Sequence, residues 1–183
     1  MRSTLAVVAL LFGMSSSIRA QDRGVRRTTV IADSGIGALT LGLSTAQVKE
    51  RCHVVLDTSR DNWDHVERMR VLLVTLGRDT VLAWVSSDSV LQIDVTSRSL
   101  RTRDSLGVGT RLATLLKRPN PTGATGKAST WVSLPGHCGL LFVLSGGGSG
   151  EDGAEYSAQE LRTWSRSIRV TAIQIVGCQA RAP

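Results

Sequence analysis

Hydrophobic and polar positions in the middle of the chain follow the pattern of antiparallel strands. Mostly apolar stretches at Met69 to Leu76 and Thr80 to Val85 flank Gly77-Arg78-Asp79, which predicts a β-hairpin with a short turn. A third strand, Val90 to Thr96, follows a Ser87-Asp88-Ser89 turn. Its apolar residues alternate with Gln92 and Asp94, so we expect a sheet with one solvated face.

Two segments carry the start signal of a helix. Ser44 and Gln47, three residues apart, form a predicted capping box for a short helix that ends near Cys52. Ser157 and Glu160 repeat this spacing before Leu161 and Trp164, which we place on the apolar side of a second such helix.

The remaining segments give two predicted loops, a helix and three strands. We interpret the polar stretch with Asp57, Arg60, Asp61 and Asp64 as a loop, and the Gly/Thr-rich stretch that leads to Ser129 as another. The predicted helix has Leu112, Leu115 and Leu116 as its apolar face, and the strands are Thr130 to Leu134, Cys138 to Leu144 and Ile168 to Val176.

A short internal sequence repeat suggests two related units. Leu41-Gly42-Leu43 precedes the Ser44 helix, and Leu106-Gly107-Val108 precedes the helix at Leu112. We therefore predict an α+β fold in which two helix-then-antiparallel-sheet half-domains, residues 30–98 and 99–183, pack as one two-layer domain.

The N-terminal segment has the features of an export signal. Arg2 precedes an apolar run from Leu5 to Phe12, and a Ser-rich stretch ends at Ala20. We interpret residues 1–20 as a signal peptide and residues 21–29 as a flexible basic arm. The apolar run is far shorter than the roughly 20 residues that cross a bilayer, so we expect no transmembrane segment. The residues directly after Ala20 are Gln21 and Asp22 rather than a Cys, so we expect no lipid anchor, and we place the protein in the periplasm or outside the cell.

Export permits disulfides, and the chain has three cysteines. Cys138 begins one predicted strand and Cys178 follows another, so antiparallel neighbours could bring them together in a disulfide. Cys52 would then be a buried thiol at a helix end. The alternative role for Cys52, a catalytic nucleophile, draws little support from His53, because adjacency in sequence does not place an imidazole against a thiol.

The segment Gly42-Leu43-Ser44-Thr45-Ala46-Gln47-Val48 resembles the Gly-Met-Thr-x-x-Glu/Gln-Val signature of two kinds of secreted bacterial module. These are the small outer-membrane assembly lipoproteins of the BamE/SmpA type and the tandem-repeat β-lactamase inhibitory protein. Leu43 stands where Met is usual, and Ser44 replaces Thr. The resemblance implies a helix-plus-antiparallel-sheet module that contacts proteins and has no catalytic centre.

Candidate catalytic and ligand sites are sparse. No Gly-x-Ser-x-Gly elbow accompanies His53, His65 or His137, and the spacing of the Cys, His and Asp residues between Cys52 and His65 fits no zinc template. Gly147 to Asp152 matches a single unit of a calcium-binding repeat that works in arrays, so we interpret it as a loop. We expect no metal and no cofactor.

The chain has 22 basic and 15 acidic residues, a net charge of +7, and only 4% aromatic residues. The basic residues are mainly dispersed arginines, densest at Arg98, Arg101 and Arg103, and no aromatic residues interleave with them as a stacking platform would require. We therefore expect no nucleic-acid binding. Trp63, in a polar segment, and the three arginines are the candidate contact residues for a protein partner.

These observations favour an exported, non-enzymatic binding or envelope-structural protein that contacts another envelope or secreted protein. Two alternatives stay open. One is a small secreted hydrolase that uses a His with a Ser or Cys52, and the other is a carrier of a lipid or small hydrophobic molecule, which would need a cavity between sheet and helices.

Overall fold

The hairpin predicted at Gly77 lies in the main sheet of the computed structural model, which describes residues 29–61, 68–126, 129–146 and 152–178. Its strands, β5 (Arg68–Leu76) and β6 (Asp79–Ser86), pair antiparallel from Arg70 with Val85 to Leu76 with Asp79. Gly77 has a φ of +67°, a value that a glycine adopts without steric cost. The predicted hairpin is confirmed.

Seven other described strands extend this sheet on both sides, and we call it the long sheet. They are β4 (His53–Asp61), β7 (Ser89–Val95), β9 (Thr122–Gly126), β10 (Ser129–Leu134), β11 (His137–Leu144), β12 (Glu155–Tyr156) and β13 (Val170–Ile175). The nine described strands run in the order β12-β9-β10-β11-β13-β7-β6-β5-β4, and every neighbouring pair is antiparallel. The last strand in the chain, β13, is thus inserted between β11 and β7, at the centre of the sheet.

A second, small sheet and three short helices complete the described residues. The small sheet has the order β3-β2-β1-β8, with strands β1 (Val30–Ala32), β2 (Gly35–Ile36), β3 (Leu39–Thr40) and β8 (Arg101–Thr102). The helices are α1 (Thr45–Arg51), α2 (Leu112–Leu115) and α3 (Ala158–Leu161). The fold is α+β, as predicted, but antiparallel sheet dominates it.

Both predicted capping boxes are present. Ser44 Oγ accepts the Gln47 amide at 3.2 Å, and Gln47 Oε1 accepts the Ser44 amide at 2.9 Å. Ser157 and Glu160 form the same reciprocal pair at the start of α3, with amide-to-side-chain distances of 2.7 and 3.3 Å. Both helices begin at the predicted residue because the cap satisfies amides that have no partner within the helix.

Two segments predicted as loops are strands. Residues 53–61 form β4, an edge strand that pairs only with β5 among the described strands, so its polar side chains remain exposed while its backbone is hydrogen-bonded. Residues 122–126 form β9, where a Cβ on Gly123 would lie 2.9 Å from the Leu161 side chain. The glycine that suggested a loop permits the close packing of α3 on the strand.

One hydrophobic core lies between the long sheet and the other elements. Val48 of α1, Leu115 of α2 and Leu161 of α3 are fully buried in it, together with Ile36 and Leu39 of the small sheet. The long sheet contributes alternate residues of its central strands, including Leu72, Val74, Ala83, Ile93, Leu140, Phe142, Val132, Ile173 and Ile175. The described helices and the small sheet therefore lie on one side of the long sheet.

The predicted disulfide joins Cys138 and Cys178, with a Cα–Cα distance of 4.9 Å. It forms because β11 and β13 are antiparallel neighbours, with Leu140 opposite Ile175. In the described part of the chain, no helix has both the length and the apolar character needed to cross a membrane. The predicted signal peptide (1–20) and all but the last residue of the arm (21–29) lie outside the described residues.

Candidate functional site

The face of the long sheet opposite the core, which we call the outer face, carries a continuous row of side chains. Register places Leu73, Leu82, Asp94, Gln174, Leu141 and Ser133 directly opposite one another across six strands. Since side chains alternate between faces, this row lies opposite the core residues Leu72, Ile93, Leu140 and Ile173. No described helix packs on the outer face.

The outer face is more apolar than the sequence suggests. We expected Gln92 and Asp94 to be on a solvated face, but Asp94 is only 8% exposed, and Trp84 only 7%. Leu73, Leu82, Leu141 and Val143 are half-buried on this face. The polar residues of β7 do lie on the face away from the core, but Leu and Trp of the neighbouring strands lie beside them and reduce their exposure.

Asp94 lies at the centre of the outer face and is held by two donors. The Trp84 indole Nε1 donates to Oδ2 at 2.7 Å, and Gln92 Nε2 donates to Oδ1 at 2.7 Å. Burial raises the pKa of the Asp94 carboxyl, although the hydrogen bonds from Trp84 and Gln92 act in the opposite direction. The two hydrogen bonds thus fix the orientation of the Asp94 carboxyl, and its burial partly removes it from water.

A concave region occupies one end of the outer face. A cleft of about 660 Å³ lies over β9, β10 and β12, with Trp131, Ser133, Ala124 and Glu155 among its lining residues. A Cβ on Gly126 would lie 2.9 Å from the Trp131 ring, so the glycine permits the indole to rest directly on the β9 backbone. The outer face therefore combines a row of leucines around the polar Asp94 and Gln174 with an aromatic cleft at one end.

The three arginines predicted as contact residues have different local surroundings. Arg101 is half-buried and serves the local fold, since its Nε donates to the Arg98 carbonyl at 3.1 Å and its side chain packs on Gly107. Arg98 and Arg103 are exposed, and Arg103 lines a separate cleft. Trp63 lies outside the described residues.

The candidate catalytic residues are dispersed. His137 Nε2 lies 3.1 Å from Asp104 Oδ1, and in the described residues no Ser or Cys side chain is hydrogen-bonded to His53 or His137. Burial raises the pKa of the Cys52 thiol, which disfavours the nucleophilic thiolate, although Arg51 acts in the opposite direction. His65 lies outside the described residues.

One group of potential metal ligands is explained by the disulfide. Asp33, Cys138 and Cys178 bring their ligand atoms within 4.8 Å of one another, but both sulfur atoms belong to the disulfide. Asp33, which follows β1, instead contacts β11, because its Oδ1 accepts the Gly139 amide at 3.4 Å and a Cβ on Gly139 would overlap its carbonyl. Most of the predicted loop with the single calcium-repeat unit, residues 147–151, lies outside the described residues.

Sequence reasoning missed the Trp84-Gln92-Asp94 triangle and the Trp131 cleft. The sequence does indicate part of the triangle, because Gln92 and Asp94 are two residues apart on a strand and must share a face. Trp84 could be assigned to that face only through the register of β6 and β7, which contains an irregularity between Trp84 and Val85.

The chain is similar to a known protein in its fold. No family model matches the chain, and no curated protein matches it. The fold is similar to the crystal structure of the uncharacterized protein yfeY from Escherichia coli, with a TM-score of 0.56 and 18% sequence identity over 81% of this chain and 99% of that chain. At this identity the similarity shows a shared fold alone, an antiparallel α+β architecture.

Proposed function

We propose that the chain is an exported, non-enzymatic binding or envelope-structural protein that contacts another protein through its outer sheet face. The observation that carries this proposal is the row Leu73, Leu82, Asp94, Gln174, Leu141, which presents half-buried leucines on the side away from the core. Protein interfaces are enriched in aromatic residues, and this face has Trp84 and Trp131 beside the row.

Three further observations support the proposal. The disulfide suits an oxidising compartment. His137 is paired with Asp104 rather than with a nucleophile, which favours binding over hydrolysis. The space between sheet and helices contains fully buried side chains such as Phe142 and Leu115, which favours surface contact over an interior carrier cavity.

The proposal includes two related half-modules. Gly42, with a φ of +81°, donates to the Val90 carbonyl, and the Val90 amide donates to Leu43. Gly109, with a φ of +88°, donates to the Val170 carbonyl, and the Val170 amide donates to Thr110. Each glycine lies two residues before a helix N-cap, Ser44 or Arg111. We therefore take Gly109 as the counterpart of Gly42, in place of Gly107, which the sequence comparison aligned with it.

The strand order is compatible with these half-modules. One helix precedes β4 to β7, which lead from one edge of the sheet to its centre. Another precedes β9, β10, β11 and β13, which lead to the centre from the other side, with β12 and α3 between β11 and β13 in the chain. Val90 lies at the start of β7 and Val170 at the start of β13, and these are the two central strands of the sheet. The suggested kinship with BamE/SmpA-type and β-lactamase inhibitory modules is part of this proposal, and it implies the same use in protein contact.

Site-specific photo-cross-linking in cells of the source organism tests the proposal. A cross-linking residue at position 141, on the outer face, is expected to give a discrete protein adduct. The same residue at position 113, which is exposed on α2, is the matched control and should not give it. Leu82→Arg should abolish the adduct at 141 without unfolding the protein, because the substitution replaces a half-buried leucine of the row with a large charged side chain.

Two outcomes contradict the proposal. Identical adducts from positions 141 and 113 would show that the outer face is not the binding surface. An unchanged adduct in a folded Leu82→Arg variant would show that the leucine row does not contribute.

A further inference from the structure

A second cleft, separate from the outer face, lies where three chain segments meet. Its walls come from the turn after β8, the segment after α2 and the turn between β10 and β11, and its volume is about 340 Å³. The charged lining residues are Arg103, Asp104, Arg118 and His137, and the apolar ones include Pro119 and Leu134.

Asp104 organises the polar side of this cleft. Its Oδ1 accepts a hydrogen bond from the Thr102 hydroxyl at 2.7 Å and lies 3.1 Å from His137 Nε2, and Arg118 NH2 lies 2.7 Å from Oδ2. Burial raises the pKa of the Asp104 carboxyl, but the hydrogen bonds from Thr102 and His137 outweigh burial and hold it below its usual value. Asp104 is therefore ionised at neutral pH, and it fixes one guanidinium and one imidazole at the edge of the cleft.

The charge of the cleft is not balanced. Arg103 is exposed and makes no ion pair with any residue in the described ranges, so the residues that line the cleft include one carboxylate and two arginines. The cleft also has an apolar part, to which the exposed Pro119 contributes, while Leu134 beside it is only 2% exposed and belongs to the core. The cleft thus has both an excess of positive charge and an apolar part.

We propose that this cleft binds a small amphiphilic anion, a carboxylate or phosphate monoester attached to an apolar group. The guanidinium of Arg103, together with the remaining N–H groups of Arg118, meets the anionic group, because the planar fork of arginine matches both oxyanions. The apolar group lies along Pro119. The volume is at the lower end of the range for small-molecule sites, which favours a ligand of modest size.

Calorimetric titration of the full chain with four probes tests this site. Octyl phosphate and octanoate are expected to bind in the submillimolar range, whereas inorganic phosphate binds at least ten-fold more weakly because it lacks the apolar group. Octyltrimethylammonium, with the opposite charge, should not bind. Binding of only one of the two octyl anions would support the site and identify its oxyanion as phosphate or carboxylate.

Two variants separate the cleft from general electrostatic attraction. Arg103→Gln should weaken octyl anion binding at least five-fold. Arg98→Gln removes the same charge from an exposed residue that does not line the cleft, and should change binding less than two-fold. Because Arg103 has no ion-pair partner among the described residues, the fold should tolerate its replacement, which thermal unfolding checks.

The proposal is overturned if neither octyl anion binds at millimolar concentration, if the octyl cation binds equally well, or if the two arginine variants weaken binding equally. These outcomes are independent of the protein contact proposed above, because they leave cross-linking from position 141 unchanged.

Discussion

The two faces of the long sheet are built from adjacent residues of the same strands but have different surroundings. On β11, Leu140 faces the core and is fully buried, while the next residue, Leu141, faces outward and is half-buried. On β7, Ile93 is fully buried in the core, while Asp94 is held by side-chain hydrogen bonds on the outer face. Alternation separates the two faces, but the elements that pack on each face determine how much each residue stabilises the fold.

The sharpest test of this difference uses two identical substitutions one residue apart. Leu140→Ala should lower the free energy of unfolding by about 2–5 kcal/mol, because it removes buried methyl groups and leaves a cavity. Leu141→Ala should lower it by about 1 kcal/mol or less, because the leucine is only partly removed from water. Urea unfolding measures both, and equal losses would mean that the outer face is packed as tightly as the core.

The polar centre of the outer face is tested by Trp84→Phe. The substitution leaves Asp94 Oδ2 without its indole donor, and we expect a loss of about 1–3 kcal/mol. In an Asp94→Asn background the loss should be smaller, because a neutral amide has a smaller desolvation penalty. A double-mutant cycle measures this coupling, and additive effects would show that the indole acts by packing alone.

The same carboxyl predicts a pH dependence. Because the folded pKa of Asp94 is raised, the folded state binds the proton more tightly than the unfolded state. The free energy of unfolding should therefore fall as the pH rises from the unfolded value near 3.9 through the folded pKa. Asp94→Asn should abolish this contribution. If the free energy of unfolding of Asp94→Asn still falls to the same extent with pH, another titrating group is responsible.

Asp57, on the helix side of β4, should have the opposite pH dependence and a smaller effect. Its carboxylate contacts Arg70 at 2.7 Å and Lys49 of α1 at 2.8 Å, and the hydrogen bond from Arg70, followed by that from Lys49, holds its pKa well below the usual value. The stability it contributes is present above the unfolded value near 3.9 and is lost as the pH falls through the folded pKa.

Asp57→Asn should therefore destabilise the protein by about 0.5–1 kcal/mol at neutral pH, since the pair is partly exposed, and the loss should shrink below about pH 4. Urea unfolding at pH 7 and pH 3 measures this difference, with Asp61→Asn on the same strand as the control. A loss that is equal at both pH values would exclude the ion pairs as its cause.

Local sequence determined the features that depend on a few neighbouring residues. The two capping boxes and the Gly77 hairpin follow from side-chain and backbone hydrogen bonding within four or five residues, so the sequence predicts them at the correct positions. Alternation also assigned Ile93 and Asp94 to opposite faces. The pairing of Cys138 with Cys178 could be proposed because two predicted strands placed them as possible neighbours.

Tertiary structure alone decided which polar and glycine-rich segments pair as strands and which side chains meet. Residues 53–61 form an edge strand because β5 satisfies their backbone, and Gly123 lies in a strand because α3 packs against it. Trp84 reaches Asp94, and Asp104 gathers His137 and Arg118, only through strand register and the meeting of distant segments. Such contacts depend on the packing of the whole sheet, and for that reason no local pattern in the chain contains them.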